Sequence, residues 1–184
     1  QVCNLTTPAQ YFHVLRRQMM RSFRKPLIIM TPKSLLRSKE AASSLRDMTD
    51  MGFQEVIDDP LEPLEARTAI LCSGKIYYDL NRKRLELDRE DIAIIRIEQL
   101  YPLPETQLRE RITRYTGLER FLWVQEEPRN RGSWYFINEH RQRIVGDAHI
   151  EYVGRKGSAS PATGSYKQHS MELDHILDQA FGKP

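Results

Sequence analysis

Residues 68–75 read Thr-Ala-Ile-Leu-Cys-Ser-Gly-Lys, and this short segment carries most of the information about the fold class. The first five residues form a continuous apolar run, which is typical of a strand buried on both faces of a parallel sheet. A polar turn with one glycine follows, and a helix is predicted near residues 76–88. A strand that passes through a short turn into a helix is the repeating unit of α/β folds.

The same alternation of strands and helices continues in both directions from this segment. Further strands are predicted at residues 26–30, 92–97, 121–124 and 150–153, and the short apolar run at 26–30 is again typical of a buried parallel strand. Helices are predicted near residues 8–22, 38–50, 105–115, 132–143 and 171–181, and a proline-containing loop at residues 54–66. Parallel strands joined by helices need right-handed crossovers. The predicted fold class is therefore a three-layer α/β fold, a mostly parallel sheet with helices on both faces.

Composition restricts the classes of function. The chain has 184 residues, and no apolar run approaches the roughly 20 residues that cross a bilayer. The net charge of +3 comes from basic and acidic residues mixed along the chain, so nucleic-acid binding is not implied. Cys3 and Cys72 lack a CxxC partner, which argues against zinc and favours two buried free thiols in a reducing compartment. The start at Gln1, without Met or a signal-peptide pattern, indicates a chain that begins inside a longer one.

The turn at Ser73–Lys75 is the first segment that could carry chemistry. It opens a helix, and the N–H groups at a helix start attract anions. A single glycine departs from both the Rossmann and the P-loop patterns. The turn is therefore either an ordinary strand-to-helix connection or a weak phosphate site.

The segment Trp123–Pro128 places two carboxylates, Glu126 and Glu127, just past a buried strand. Functional groups gather at that edge of an open α/β sheet, so the pair could do acid–base chemistry. The alternative is that both carboxylates bond backbone N–H groups or arginines, within the subunit or across an interface. Asn130 and Trp134 extend this loop with groups that suit turns and contact surfaces.

Two further segments leave alternatives open. Residues 154–164 are rich in small side chains and form either an exposed flexible loop or a loop packed against a second subunit. On the first helix, Arg17, Arg21 and Arg24 form a basic stripe beside an apolar one. That basic stripe is either a solvated helix face or a site for a phosphate or carboxylate. His13, one turn before Arg17, is interpreted as structural.

Seven segments, taken in order, resemble the C-terminal end of the 2-oxoglutarate dehydrogenase family. They are residues 7–18 (TPAQYFHVLRRQ), 25–29 (KPLII), 31–37 (TPKSLLR), 72–80 (CSGKIYYDL), 96–102 (RIEQLYP), 123–128 (WVQEEP) and 154–162 (GRKGSASPA). The resemblance covers nearly the whole chain, in order and at matching spacing, and is far more specific than any single motif.

The resemblance implies a domain like the third domain of transketolases, in a homodimer that uses thiamine diphosphate and Mg²⁺ to decarboxylate 2-oxoglutarate. The succinyl group would then pass to the lipoyl group of a dihydrolipoyl succinyltransferase partner. The setting would be a bacterial cytoplasm, which is favoured, or a mitochondrial matrix. Residues 1–37 would end the pyrimidine-binding domain and residues 38–184 would form the C-terminal domain. This chain would carry no catalytic, cofactor-binding or metal-binding residue and would be inactive alone.

The resemblance also implies contact sites. The candidate residues of the subunit interface are Glu126, Glu127, Asn130, Trp134, Arg155, Ser158 and Ser160. Arg17 and Gln99 match positions that contact the activator acetyl-CoA in an actinobacterial branch of the family. Other positions of that site depart from its polar and basic character here: Gly52, Glu55, Thr106 and Gln107. An anion site near Arg17 is the hypothesis that remains.

Three alternatives stay open. The related 2-oxoadipate dehydrogenase shares much of this end, although Tyr77–Asp79 and Ser158–Pro161 resemble the 2-oxoglutarate branch more closely. A stand-alone α/β domain could bind a phosphate ligand at the Gly74 turn. An interaction module could dock the acyltransferase partner.

Overall fold

The computed structural model describes residues 1–182, so the last two residues of the predicted 38–184 domain lie outside the described part. The strands are β1 Val2–Asn4, β2 Ile28–Met30, β3 Val56–Ile57, β4 Thr68–Cys72, β5 Ile92–Ile97, β6 Gln99–Tyr101, β7 Arg120–Pro128 and β8 Ile150–Arg155. The α-helices are α1 Pro8–Met20, α2 Leu45–Thr49, α3 Ile76–Glu86, α4 Glu105–Thr113, α5 Trp134–Glu139, α6 Arg141–Val145 and α7 Tyr166–Phe181, and a 3₁₀ helix spans Lys33–Arg37.

The larger sheet confirms the predicted fold class. Its five strands lie in the order β3-β5-β4-β7-β8, and all neighbours are parallel except the short edge strand β3. Ile70 in the central strand pairs with Ile94 on one side and Leu122 on the other. All three are fully buried, as the continuous apolar runs predicted.

Helices cover both faces of this sheet, which makes three layers. One face packs against α4, α5 and α6 around Leu71, Trp123 and Ile137. The opposite face packs against α3 and α7 around Ile70 and Ile176. Each fully buried Leu or Ile contributes about 1.5–3 kcal/mol, so these two apolar layers supply most of the driving force for folding.

A smaller sheet joins the N-terminal residues to the large one. Its order is β2-β1-β6, with β1 parallel to β2 and antiparallel to β6. Its own apolar core contains Cys3, Leu5 and Val14, the last from α1. The predicted strand at 26–30 exists as β2, but the expectation that it is buried was wrong, because β2 is an edge strand of this small sheet with Ile28 and Met30 about half exposed.

Several predicted boundaries differ from the structure. The helix predicted at 38–50 is only the five-residue α2, because Ser44 forms a capping box with Asp47 and starts the helix there. The predicted helix at 132–143 is two short helices, α5 and α6, and the last helix begins at Tyr166, where Ser165 caps it, rather than near residue 171. The predicted loop at 54–66 contains strand β3, and strand β6 was not predicted.

Candidate functional site

The carboxyl edge of the large sheet brings the predicted segments together. Strand β4 connects through α3 to β5, which lies on one side of β4. Strand β5 connects through α4 to β7, which lies on the other side of β4. Ligands of open α/β sheets bind where such crossovers diverge. Here that point lies between the ends of β4 and β7, so Ser73–Lys75 faces Gln125–Glu127.

Lys75 and Glu126 form an ion pair across this point. The Lys75 Nζ lies 2.6 Å from a Glu126 carboxylate oxygen and 3.4 Å from Asp79. Burial lowers the pKa of Lys75, but the two carboxylates more than offset that effect, so its pKa is raised. Glu126 is thus engaged in a structural ion pair, although with a lysine rather than the predicted arginine or backbone N–H. Glu127 is exposed beside it.

The Gly74 turn is covered by the protein's own side chain. Gly74 has a φ of +72°, and a Cβ at this position would collide with the Asn4 side-chain amide. Asn4 therefore fills the space above the turn that a phosphate ligand would need. The neighbouring Cys72 thiol offers no nucleophile, because burial raises its pKa to about 12. These contacts support the interpretation of Ser73–Lys75 as an ordinary strand-to-helix turn.

Gln125 organises the loop that follows β7, a role the sequence analysis missed. Its side-chain oxygen accepts hydrogen bonds from the Trp123 indole at 2.8 Å and from the backbone N–H groups of Trp134 at 3.0 Å and Ser133 at 3.2 Å. Its amide donates to the carbonyl of Arg131 at 2.8 Å, and at longer distance to two more carbonyls. The available signal was a glutamine directly after an apolar strand, between the chain's two tryptophans.

The structure joins the two loops that hold the candidate interface residues. Asn130 and Ser158 exchange two hydrogen bonds, from the Ser158 N–H at 2.9 Å and to its carbonyl at 3.0 Å. Arg155 pairs with Glu172 at 2.6 Å, and the Ser160 hydroxyl donates within its own loop. The Trp134 side chain, in contrast, is buried inside the domain. Residues 154–164 are therefore hydrogen-bonded to the loop after β7.

Arg17 and Gln99 lie in direct contact, as a shared site would require. Arg17 donates to Gln99 at 2.6 Å and to Glu55 at 2.9 Å, and its guanidinium stacks over the Phe53 ring at 4.0 Å. The interpretation of the arginine stripe as a solvated face is therefore wrong at Arg17, which is mostly buried. Because Glu55 already neutralises this cation, an anion would have to displace an existing ion pair.

Residues 6 and 98 form a buried polar cluster that the sequence analysis did not identify. Glu98, fully buried between β5 and β6, accepts hydrogen bonds from the Thr6 N–H at 2.9 Å and the Thr6 hydroxyl at 2.6 Å. Gln10 donates to the same carboxylate at 3.4 Å. His13, which was interpreted as structural, is buried nearby on α1, with Nε2 2.7 Å from the Asp47 carbonyl.

Across residues 1–182, no group of three or more His, Cys, Asp or Glu side chains is placed to hold a metal ion. A search of the same residues finds no helix long and apolar enough to cross a membrane.

The geometry defines a class of protein: a three-layer α/β domain in which Lys75 and Glu126 form an ion pair at the carboxyl edge of the large sheet. Residues 42–181 match the family model of the 2-oxoglutarate dehydrogenase C-terminal domain. The chain belongs to this family.

Curated relatives agree with this assignment. The chain is 49% identical over 98% of its length to the 2-oxoglutarate dehydrogenase E1 component of Azotobacter vinelandii. It is 46% identical over 100% of its length to the protein of the same name from Cupriavidus necator and 42% identical over 99% to that from Brucella anthropi. It spans about 20% of the length of each relative.

Proposed function

We propose that this chain is the C-terminal part of a 2-oxoglutarate dehydrogenase that decarboxylates 2-oxoglutarate and transfers the succinyl group to the lipoyl group of a dihydrolipoyl succinyltransferase. The observation that carries the proposal is the 49% identity over nearly the whole chain to a bacterial protein of that name. Thiamine diphosphate, bound with Mg²⁺ elsewhere in the full-length enzyme, would supply the electron sink for loss of CO₂. The bacterial relatives favour a bacterial cytoplasm.

The chain's own contribution is structural in this proposal. Side chains at the carboxyl edge of the sheet bond within the domain: Lys75 to Glu126, and Gln125 to Trp123. Residues 1–37 would complete the pyrimidine-binding domain, and residues 38–184 would form the family's C-terminal domain. The half-exposed edge strand β2 supports this division, because a three-stranded sheet with an open apolar edge is typically extended by further chain.

Subunit contact is assigned to the two joined loops. Asn130 and Ser158 hydrogen-bond the two loops together, while Arg155 pairs with Glu172 on α7 and Ser160 bonds within its own loop. The full-length enzyme is expected to sediment as a homodimer, and Ser160→Arg should shift it towards monomer. The control His149→Arg changes an exposed residue at the opposite end of β8 and should leave the dimer intact. A dimer unaffected by Ser160→Arg would remove this surface from the interface.

The catalytic proposal is tested with the full-length enzyme. It should reduce ferricyanide in a reaction that needs 2-oxoglutarate, thiamine diphosphate and Mg²⁺, with a higher kcat/KM for 2-oxoglutarate than for 2-oxoadipate. The order of the two kcat/KM values separates the proposal from the 2-oxoadipate alternative. Absence of turnover with both keto acids would contradict the proposal altogether.

A further inference from the structure

Every backbone and side-chain polar group of Thr6 is engaged by a buried side chain. Its N–H and hydroxyl donate to the two oxygens of Glu98, and its hydroxyl also accepts from the Arg96 guanidinium at 3.0 Å. Its carbonyl accepts from the Tyr78 hydroxyl at 2.5 Å. Thr6 thus forms hydrogen bonds with Arg96 on β5, with Glu98 just after β5, and with Tyr78 on α3. We call this arrangement the Thr6 clamp.

The Thr6 hydroxyl bridges two buried ionisable side chains, Arg96 and Glu98. Arg96 is nearly buried, lies 4.1 Å above the Tyr77 ring, and forms no ion pair within residues 1–182. Its Nε has no hydrogen-bond partner. The Thr6 hydroxyl accepts a hydrogen bond from Arg96 and donates one to Glu98, so it connects the two side chains. Because buried polar and charged groups need hydrogen-bond partners, loss of this hydroxyl would leave Arg96 and Glu98 each with one partner fewer.

The clamp lies at the start of α1. Thr7 caps this helix, so the position of Thr6 sets where α1 begins and in which direction it runs. Gln10, His13 and Val14 on α1 face inwards and are buried.

The opposite face of α1 is only partly covered by the described residues. Its side chains are large and apolar, with exposures of 45% for Phe12, 44% for Leu15 and 73% for Met19. Large apolar side chains exposed together on one face of a helix mark a contact surface for another part of the protein. The curated relatives are about five times longer than this chain, which supplies ample protein to cover that face.

We propose that the Thr6 clamp is a positioning device: it fixes α1 on the large sheet, and α1, through its outer apolar face, fixes the coenzyme-binding part of the full-length enzyme relative to this domain. The inference rests on the proposed function. Thr6 and Glu98 are positioning residues in this account, since they touch neither substrate nor coenzyme. They act on the rate by setting the placement of groups that do.

The test uses the full-length enzyme with three substitutions. Thr6→Val keeps the shape of the side chain but removes the hydroxyl, and Thr6→Ser restores it. Asp59→Asn is the matched control, because it disrupts a buried ion pair with Arg84 on α3, and Asp59 hydrogen-bonds none of the clamp residues. Thermal melting measures stability, and steady-state kinetics separates kcat from KM for 2-oxoglutarate.

We expect Thr6→Val to lower kcat by about tenfold with little change in KM, because misplacing catalytic groups by about 1 Å costs up to about a hundredfold in rate. Thr6→Ser should recover most of kcat. Asp59→Asn should lower the melting temperature at least as much as Thr6→Val while keeping kcat near the wild-type value at 25 °C. A merely structural role predicts instead that kcat follows stability in all three variants.

Two results would overturn the proposal: an unchanged kcat in Thr6→Val, or equal losses of kcat in Thr6→Val and Asp59→Asn. Failure of the proposed function is distinguishable, since it appears as absence of turnover in the wild-type enzyme. In that case hydrogen exchange decides on the clamp itself. The amides of residues 6, 7, 9 and 10 should exchange faster in Thr6→Val than in Thr6→Ser, and equal rates would refute the clamp.

Discussion

Gln125→Leu is expected to destabilise the domain severely while hardly changing side-chain volume. Leucine cannot accept the hydrogen bonds from the Trp123 indole, the Trp134 N–H and the Ser133 N–H, and cannot donate to the Arg131 carbonyl. Two of these three donors, the Trp123 indole N–H and the Trp134 backbone N–H, belong to buried residues and cannot hydrogen-bond to water instead.

The magnitude follows from counting those two donors. A buried donor left without a partner costs about 1–3 kcal/mol, so the pair costs about 2–6 kcal/mol. The gain from burying an extra apolar group is smaller, because the site is lined by carbonyls and N–H groups. A loss of that size is a large fraction of the roughly 5–15 kcal/mol by which a domain is stable.

Tryptophan fluorescence during urea unfolding is a direct assay of this site. The chain has two tryptophans, and both donate to Gln125, so the signal comes from the perturbed loop itself. Gln179→Leu makes the same chemical change at an exposed position on α7 and serves as the control. If Gln125→Leu and Gln179→Leu unfold within about 1 kcal/mol of each other, the reasoning about buried donors fails, since each donor alone should cost that much.

Three further predictions concern buried charges. Asp59→Asn should cost about 3–5 kcal/mol in urea unfolding, because it leaves the buried Arg84 without its counter-charge; a loss under about 1 kcal/mol would contradict this. Burial raises the pKa of Glu98, so the folded state binds this proton more tightly than the unfolded state, and stability should fall as the pH rises from about 4.5 towards the folded-state pKa. Glu98→Gln should lack that fall, and identical curves of melting temperature against pH would refute the assignment. Arg17→Ala should leave the response of the full-length enzyme to acetyl-CoA unchanged, because Glu55 already occupies Arg17; a response present only in the wild type would establish an anion site.

The large sheet could be predicted from sequence because burial on both faces leaves a continuous apolar run, as in Thr68–Cys72 and Ile92–Ile97. The same pattern in residues 26–30 was misleading about burial, since a run of apolar residues does not reveal whether its strand joins a large sheet or the edge of a small one. Residues 38–50 have no marked apolar face, so only the Ser44 cap could have located α2.

The polar contacts were harder to predict than the elements. The Lys75–Glu126 pair joins residues 51 positions apart, and the Thr6–Glu98 contact joins residues 92 positions apart. No local pattern specifies such partners, because they depend on how the crossovers bring strand ends together. The sequence located Glu126 and Arg17 as candidates, whereas Gln125 and Thr6, which organise the surroundings, required the three-dimensional structure.

Thiamine diphosphate titrated with Mg²⁺ into the purified 184-residue chain, and in parallel into the full-length enzyme, is the most direct test of a structural role in a larger catalyst. We expect binding and release of CO₂ from 2-oxoglutarate by the full-length enzyme, and neither by the chain alone. Tight binding of the coenzyme by the isolated chain, or turnover of the keto acid by it, would contradict the account.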